Sequence, residues 1–169
     1  MSDAVSWHAV YEEIRMQVGQ VSRHYLGHAS ALQFQRFAVA AGDTNERYFS
    51  DEVAKRAGFI GVVAPPLFLS AIMGWEAGPE EADLRPDGTG HTETAALPVS
   101  GLRLMGAGQE LELLEPVVDG CEVTEEISVD GVQLKQGKSG PMLIFSLLRR
   151  YVDQDGRELT RCRESFIAR

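Results

Sequence analysis

In residues 5–18, VSWHAVYEEIRMQV, the apolar Val10, Ile14 and Val18 recur at every fourth position, with Glu12, Glu13 and Arg15 between them. That spacing predicts an amphipathic helix. A short extended piece is expected at Val21–His28. ALQFQRFAVAAG, 31–42, is compatible with a second helix that offers Leu32, Phe34, Phe37 and Val39 to a core and stops at Gly42. SDEVAKRAG, 50–58, marks both of its ends: Ser50 as N-cap, Asp51 and Glu52 in the first turn, Lys55 and Arg56 in the last, Gly58 after them. Pro65 and Pro66 then bias Ala64 toward extended geometry and open an apolar helix, PLFLSAIMGWEA, which reads as central.

Beyond it the pattern changes. Residues 78 to about 100 are rich in Gly, Pro and acids without any period, which predicts an exposed, mobile loop. After the loop the period becomes two. In CEVTEEISV, Cys121, Val123, Ile127 and Val129 alternate with Glu122, Thr124, Glu126 and Ser128, and Glu125 alone breaks the pattern. PMLIFSLL, 141–148, is apolar on both faces, as a strand covered on both sides would be. DGRELTRCRESFIAR opens on an Asp155–Gly156 turn and alternates again, with Cys162 and Phe166 opposite Arg161 and Arg163. The fold class is therefore α+β: an antiparallel sheet from the last half, covered on one face by helices from the first.

The length, 169 residues, fits one domain spanning 1–169. Apolar runs are too short to cross a bilayer and the N-terminus lacks a signal-peptide pattern, so a soluble, cytoplasmic protein without a membrane partner is expected. A net charge of −9 with no basic run argues against nucleic acid. It would also repel acidic ligands unless Lys135, Lys138, Arg149, Arg150, Arg161 and Arg163 supply a local basic patch. Cys121 and Cys162, with no CxxC, read as buried reduced thiols. The four histidines fall in no ligand spacing, so no metal and no cofactor is called for. QGKS at 136–139 lacks the first glycine of a phosphate loop, and GAG at 106–108 lacks the third glycine of a dinucleotide fingerprint.

The segment 40–69 carries the candidate chemistry. Gly42, Asp43, Thr44 and Asn45, followed by Gly61, Val62, Val63, Ala64, Pro65 and Pro66, resemble the signature of the MaoC-like, or R-specific enoyl-CoA hydratase, family: Gly-Asp-x-Asn-Pro-aliphatic-His, then Gly-x-Val-Ala-Pro-Pro. GAGQELELLEPV, 106–117, and GKSGPMLIFSLLRRYVDQDGRELTRCRESF, 137–166, are similar to the N-terminal dehydratase branch of that family, which includes non-catalytic subunits of mycobacterial fatty-acid dehydratases. The resemblance implies a hotdog fold, a curved antiparallel sheet wrapped around a central helix. It also implies hydro-lyase chemistry on 3-hydroxyacyl or enoyl thioesters of CoA or an acyl carrier protein.

In the family the Asp and His exchange protons with substrate and the Asn positions them, tasks suited to an imidazole that titrates near neutrality, a carboxylate and an amide. Asp43 and Asn45 match. Glu46, Arg47 and Tyr48 occupy the Pro, aliphatic and His positions, and a phenol with a pKa of about 10 is a poor base. The resemblance therefore implies a subunit that pairs with a catalytic hotdog bearing the Asp–His pair, with Tyr48 as a hydrogen-bond donor or a plug. Gly61, Ala64, Pro65, Pro66, Phe68, Leu69 and Ile72 would bound the acyl pocket, and Gly106 and Gly108 would allow close backbone approach. Two alternatives stand beside it: a non-catalytic acyl-thioester binding or assembly module, a homodimer included, and a stand-alone hydratase using Asp43 and Tyr48. Thioesterase chemistry is disfavoured by the Asp-x-Asn context. From the residues alone, Asp43 and Asn45 equally suit a turn, Tyr48 a packed aromatic, and Phe68, Leu69 and Ile72 a core.

Overall fold

The computed structural model describes residues 6–71, 80–84, 88, 97–99 and 101–169. Helix α1, Trp7–Met16, turns Ile14 into the core, and strand β1, Val21–His28, coincides with the expected extended piece. Helix α2, Ala31–Ala41, is bounded by its own sequence. The Ser30 hydroxyl accepts from the Gln33 N–H while the Gln33 side chain accepts from the Ser30 N–H, and Gly42 ends the helix at φ +70°. Such caps satisfy backbone groups that have no partner inside the helix. Phe34 and Ala38 are its buried residues, with Phe37 partly buried. Leu32 and Val39, expected in the core, are exposed. At 3.6 residues per turn they lie on the far side of the helix from Phe34 and Ala38.

Helix α3, Asp51–Arg56, has the expected cap, the Ser50 hydroxyl accepting from Val53 N–H. Helix α4, Phe68–Ala71, starts two residues later than the prolines suggest, because Leu67 takes φ +69° before it. The rest of the expected apolar helix lies outside the described residues. None of the described helices is long and apolar enough to cross a membrane.

The other strands are β2, Leu104–Leu113, β3, Glu122–Gly137, β4, Gly140–Val152, and β5, Glu158–Ala168. They form with β1 a five-stranded antiparallel sheet in the order β1-β3-β4-β5-β2. QGKS belongs to the β3–β4 hairpin, where Gly137 pairs with Gly140. The Asp155–Gly156 turn forms as expected, with Gly156 N–H donating to Asp153 O and the Asp153 carboxylate accepting from the N–H groups of Asp155 and Arg157.

Alternate residues of β3, β4 and β5 build the inner face. Half of it, including Ile127, Val129, Leu143, Phe145 and Leu147, packs with Ile14 of α1 and with Leu97, Val99 and Leu102. The other half, with Val123, Tyr151 and Cys162, is covered by Phe34 of α2 and by Phe68 and Leu69 of α4. Phe34 and Phe68 meet edge to face at 4.9 Å. Each large side chain so buried contributes about 1.5–3 kcal/mol. The burial of Leu97 and Val99 corrects the reading of 78–100 as wholly exposed: these two are apolar anchors for the return into β2. Most of that segment lies outside the described residues.

Candidate active site

Asp43 and Asn45 shape the exit of α2. Asp43 Oδ1 accepts from Asn45 N–H at 3.1 Å, and Asn45 Oδ1 accepts from Arg47 N–H at 3.2 Å. These successive side-chain-to-backbone turns start the 3-10 turn Glu46–Tyr48. That turn drives Tyr48 inward, where it is 1% exposed and packs with Ala38 and Val63. Its hydroxyl accepts from Arg47 Nη2 at 2.8 Å, and the guanidinium carbon stands 5.0 Å from the ring centroid. The residues thus hold the turn and packing roles open to them.

A second device places the double proline. Asp51 Oδ1 accepts from Val62 N–H at 2.9 Å, and a Cβ on Gly61 would come within 3.2 Å of that same oxygen. Glycine at 61 therefore lets α3 clamp the following strand-like piece. Val63 pairs with Val118, and Ala64 N–H donates to Val117 O at 2.8 Å. Past this anchor the chain turns at Pro65 and Pro66, leaving a pocket of about 240 Å³ against residues 113–117. Ala64, Pro65, Pro66, Phe68 and Leu69 line it. Leu67, Leu113 and Leu114 form an exposed apolar lip, and Arg47, Glu115 and Thr160 are among its polar residues.

Asp43, Asn45, Tyr48, Gly61, Gly106 and Gly108 do not line this pocket. Gly106 and Gly108 flank a bulge on the edge strand β2, Gly108 at φ +140°, and a Cβ on either would meet nothing. Ile72 lies outside the described residues.

Two features escaped the sequence reading. Arg47 in the pocket wall is one; its signal was a basic residue where the family pattern is aliphatic. The other is an ion cluster on the inner face, where Arg149 reaches Glu125 at 2.6 Å and Glu164 at 2.7 Å, and Gln109 donates to Glu164 at 3.3 Å. Its signal was Glu125, the break in the alternation of β3. Burial works to lower the Arg149 pKa, but the charges of and hydrogen bonds from Glu125 and Glu164 outweigh it and leave the pKa raised. The four arginines named as candidates for a basic patch are paired with carboxylates. Arg149 is spent on this cluster, Arg150 on Glu126 and Glu158, Arg161 on Glu158 and Glu112, and Arg163 on Asp130 and Glu110. Lys135 and Lys138 sit exposed near the β3–β4 hairpin. Both cysteines are buried and free, and burial pushes the Cys162 thiol up to about 11. Among the described residues no three His, Cys, Asp or Glu side chains cluster as metal ligands would.

The model of the FAS1-like dehydratase domain region matches residues 17–161. The chain belongs to this family. It is a MaoC-like dehydratase-region protein, and its curved antiparallel sheet with covering helices is a hotdog. No curated protein matches its sequence. Among solved structures, a chain of the ChsH1-ChsH2 complex from Mycobacterium tuberculosis superposes with a TM-score of 0.73 at 16% identity, covering 95% of this chain and 89% of that one. A chain of the C-terminally truncated HadBC (3R-hydroxyacyl-ACP dehydratase) complex of the same organism gives 0.66 at 17% identity, with 89% and 96% covered. The MaoC-like dehydratase from Rhodospirillum rubrum gives 0.59 at 24%, with 89% and 91% covered. At these identities the likeness of this MaoC-like chain to the three is one of fold.

Proposed function

We propose that this chain is a subunit of a hydro-lyase acting on 3-hydroxyacyl or enoyl thioesters of CoA or a carrier protein, paired with a second hotdog that supplies the Asp–His pair. The observation that carries the reading is Tyr48. At the place of the family's imidazole stands a buried phenol, held by Arg47 and outside the pocket. A missing general acid or base costs on the order of 10²–10⁴ in rate, so a lone chain would be a weak catalyst. The chain's membership in a dehydratase family and the heteromeric ChsH1-ChsH2 and HadBC neighbours support a partnered role.

In this role Ala64, Pro65, Pro66, Phe68 and Leu69 wall the acyl group. Ile72, Gly106 and Gly108 are proposed contacts of the assembled tunnel. Asp43 is a residual polar contact, Asn45 a turn anchor and Tyr48 a plug. The test is hydration of crotonyl-CoA and a longer enoyl-CoA by the purified chain, alone and with the hotdog protein encoded beside it. Turnover by the mixture alone is expected. Turnover by the chain alone, abolished by Asp43→Asn, would instead establish a stand-alone hydratase using Asp43 and Tyr48. Binding without turnover in either case would leave an acyl-thioester binding module.

A further inference from the structure

We propose that Arg47 makes the pocket beside Pro65 and Pro66 a receptor for the carbonyl end of an acyl group, donating to a carboxylate or thioester oxygen while the apolar walls hold the chain. The proposal rests on the acyl-thioester reading above and names a residue that sets its specificity.

Arg47 is the basic residue among those lining the pocket. A guanidinium carries five N–H donors in a rigid fork. One bond, from Nη2, steadies it on Tyr48, and Nε has no partner among the described residues but is itself closed off from the open pocket by burial. Leaving such a donor unsatisfied is unfavourable, and more so on a charged group. Glu115 shares the lining but forms no ion pair with Arg47 among the described residues. The Nη end of the fork, with one bond to Tyr48, keeps donors to spare at a mostly apolar pocket, where a charge-assisted hydrogen bond is strongest.

The lining also holds a strained residue. Leu67 adopts φ +69°, the one positive φ outside glycine among the described residues. A left-handed conformation costs a branched residue about 1–2 kcal/mol, and such strain collects at binding sites. It sits at the apolar lip with Leu113 and Leu114. At about 240 Å³ the pocket is smaller than most small-molecule sites, which favours a short acyl segment over an entire nucleotide ester.

The experiment is calorimetric titration of the full chain with hexanoate, hexanoyl-CoA, free CoA and hexanol, repeated on Arg47→Leu and Arg47→Lys, with circular dichroism melts to check folding. A carbonyl-bearing probe, hexanoate or hexanoyl-CoA, is expected to bind the wild type and to lose about 10- to 100-fold in affinity in Arg47→Leu, the value of one charge-assisted hydrogen bond. Arg47→Lys, which keeps the charge and loses the fork, should lose less, and it decides the matter if Arg47→Leu fails to fold. Hexanol should not distinguish the proteins. An effect on hexanoate identifies a free carboxylate as the group bound; an effect on hexanoyl-CoA that free CoA does not share identifies the thioester carbonyl, and one that free CoA shares overturns the proposal. Equal affinities across the three proteins, or no binding of either carbonyl-bearing probe to the wild type, overturns the proposal. The hydration assay of the mixture is a separate readout: turnover there with no effect of Arg47 on binding retires this inference and leaves the subunit reading standing.

Discussion

Replacing Arg149 with Met should destabilise the chain far more than a surface arginine would. The side chain of Arg149 is 8% exposed and those of its partners Glu125 and Glu164 are 13% and 16% exposed, so the substitution leaves two carboxylates on the inner face with their cation gone. Breaking a buried pair by removing one partner costs about 3–5 kcal/mol, out of a total stability of about 5–15 kcal/mol. With a urea m-value of about 2 kcal/mol/M, the unfolding midpoint should fall by roughly 1.5–2.5 M. Tryptophan fluorescence and circular dichroism in urea would measure it. The decisive control is Arg149→Met combined with Glu125→Met and Glu164→Leu, which removes the stranded charges while keeping volume. That triple variant should return to within about 1 kcal/mol of the wild type or exceed it, since apolar replacements of buried ion clusters are often neutral or stabilising. A single variant that loses under about 1 kcal/mol would mean that water screens the cluster. A triple variant as unstable as the single one would assign the loss to packing and refute the electrostatic argument.

Two further outcomes concern pH. Hydrogen bonds from Arg150, opposed by burial and reinforced by Arg161, hold the Glu158 pKa below its ordinary value of 4.5. A depressed folded pKa stabilises above the unfolded value and is lost as pH falls through the folded one, so urea stability should decline below about pH 4.5, less steeply in Glu158→Gln; identical acid slopes would remove Glu158 from the account. Burial pushes Cys162 from 9.0 up to about 11, so stability should be full below about pH 9 and decline toward 11 as the unfolded thiol ionises first. At pH 8 a thiol reagent should modify Cys121 and Cys162 only on unfolding, and rapid labelling of the native chain would contradict their burial.

Much of the fold was legible because local signals and tertiary needs agreed. Gly42 and Ser50 act where their types predict, and the period-two stretch around Val123, Ile127 and Val129 became the inner face. Leu32 and Val39 misled because hydrophobicity alone does not say which side of a helix meets the core. Leu97 and Val99 misled because two anchors in an aperiodic stretch carry no period. The candidate site was half legible. Ala64, Pro65, Pro66, Phe68 and Leu69 do line a pocket, since prolines dictate where the chain turns. Arg47 was passed over because a single charge in a turn reads as solvated until its environment is known, and Arg149 was read only as a member of a basic patch because strand register, which brings Glu125 and Glu164 to either side of it, is not written in the sequence.

β3, β4 and β5 follow one another in the chain and lie side by side in the sheet, so their pairings close only short loops. Val21 of β1, by contrast, meets Ser128 across most of the chain. Loop closure costs more entropy the longer the loop, and long-range pairings form late. Sequence separation alone therefore predicts that the meander from Glu122 to Ala168 pairs first and β1 last, which hydrogen exchange would test by finding the β1 amides the first of the sheet to open. Until β1 arrives, the outer edge of β3 is an unpaired strand with apolar neighbours, which makes the nascent chain most prone to self-association in that interval.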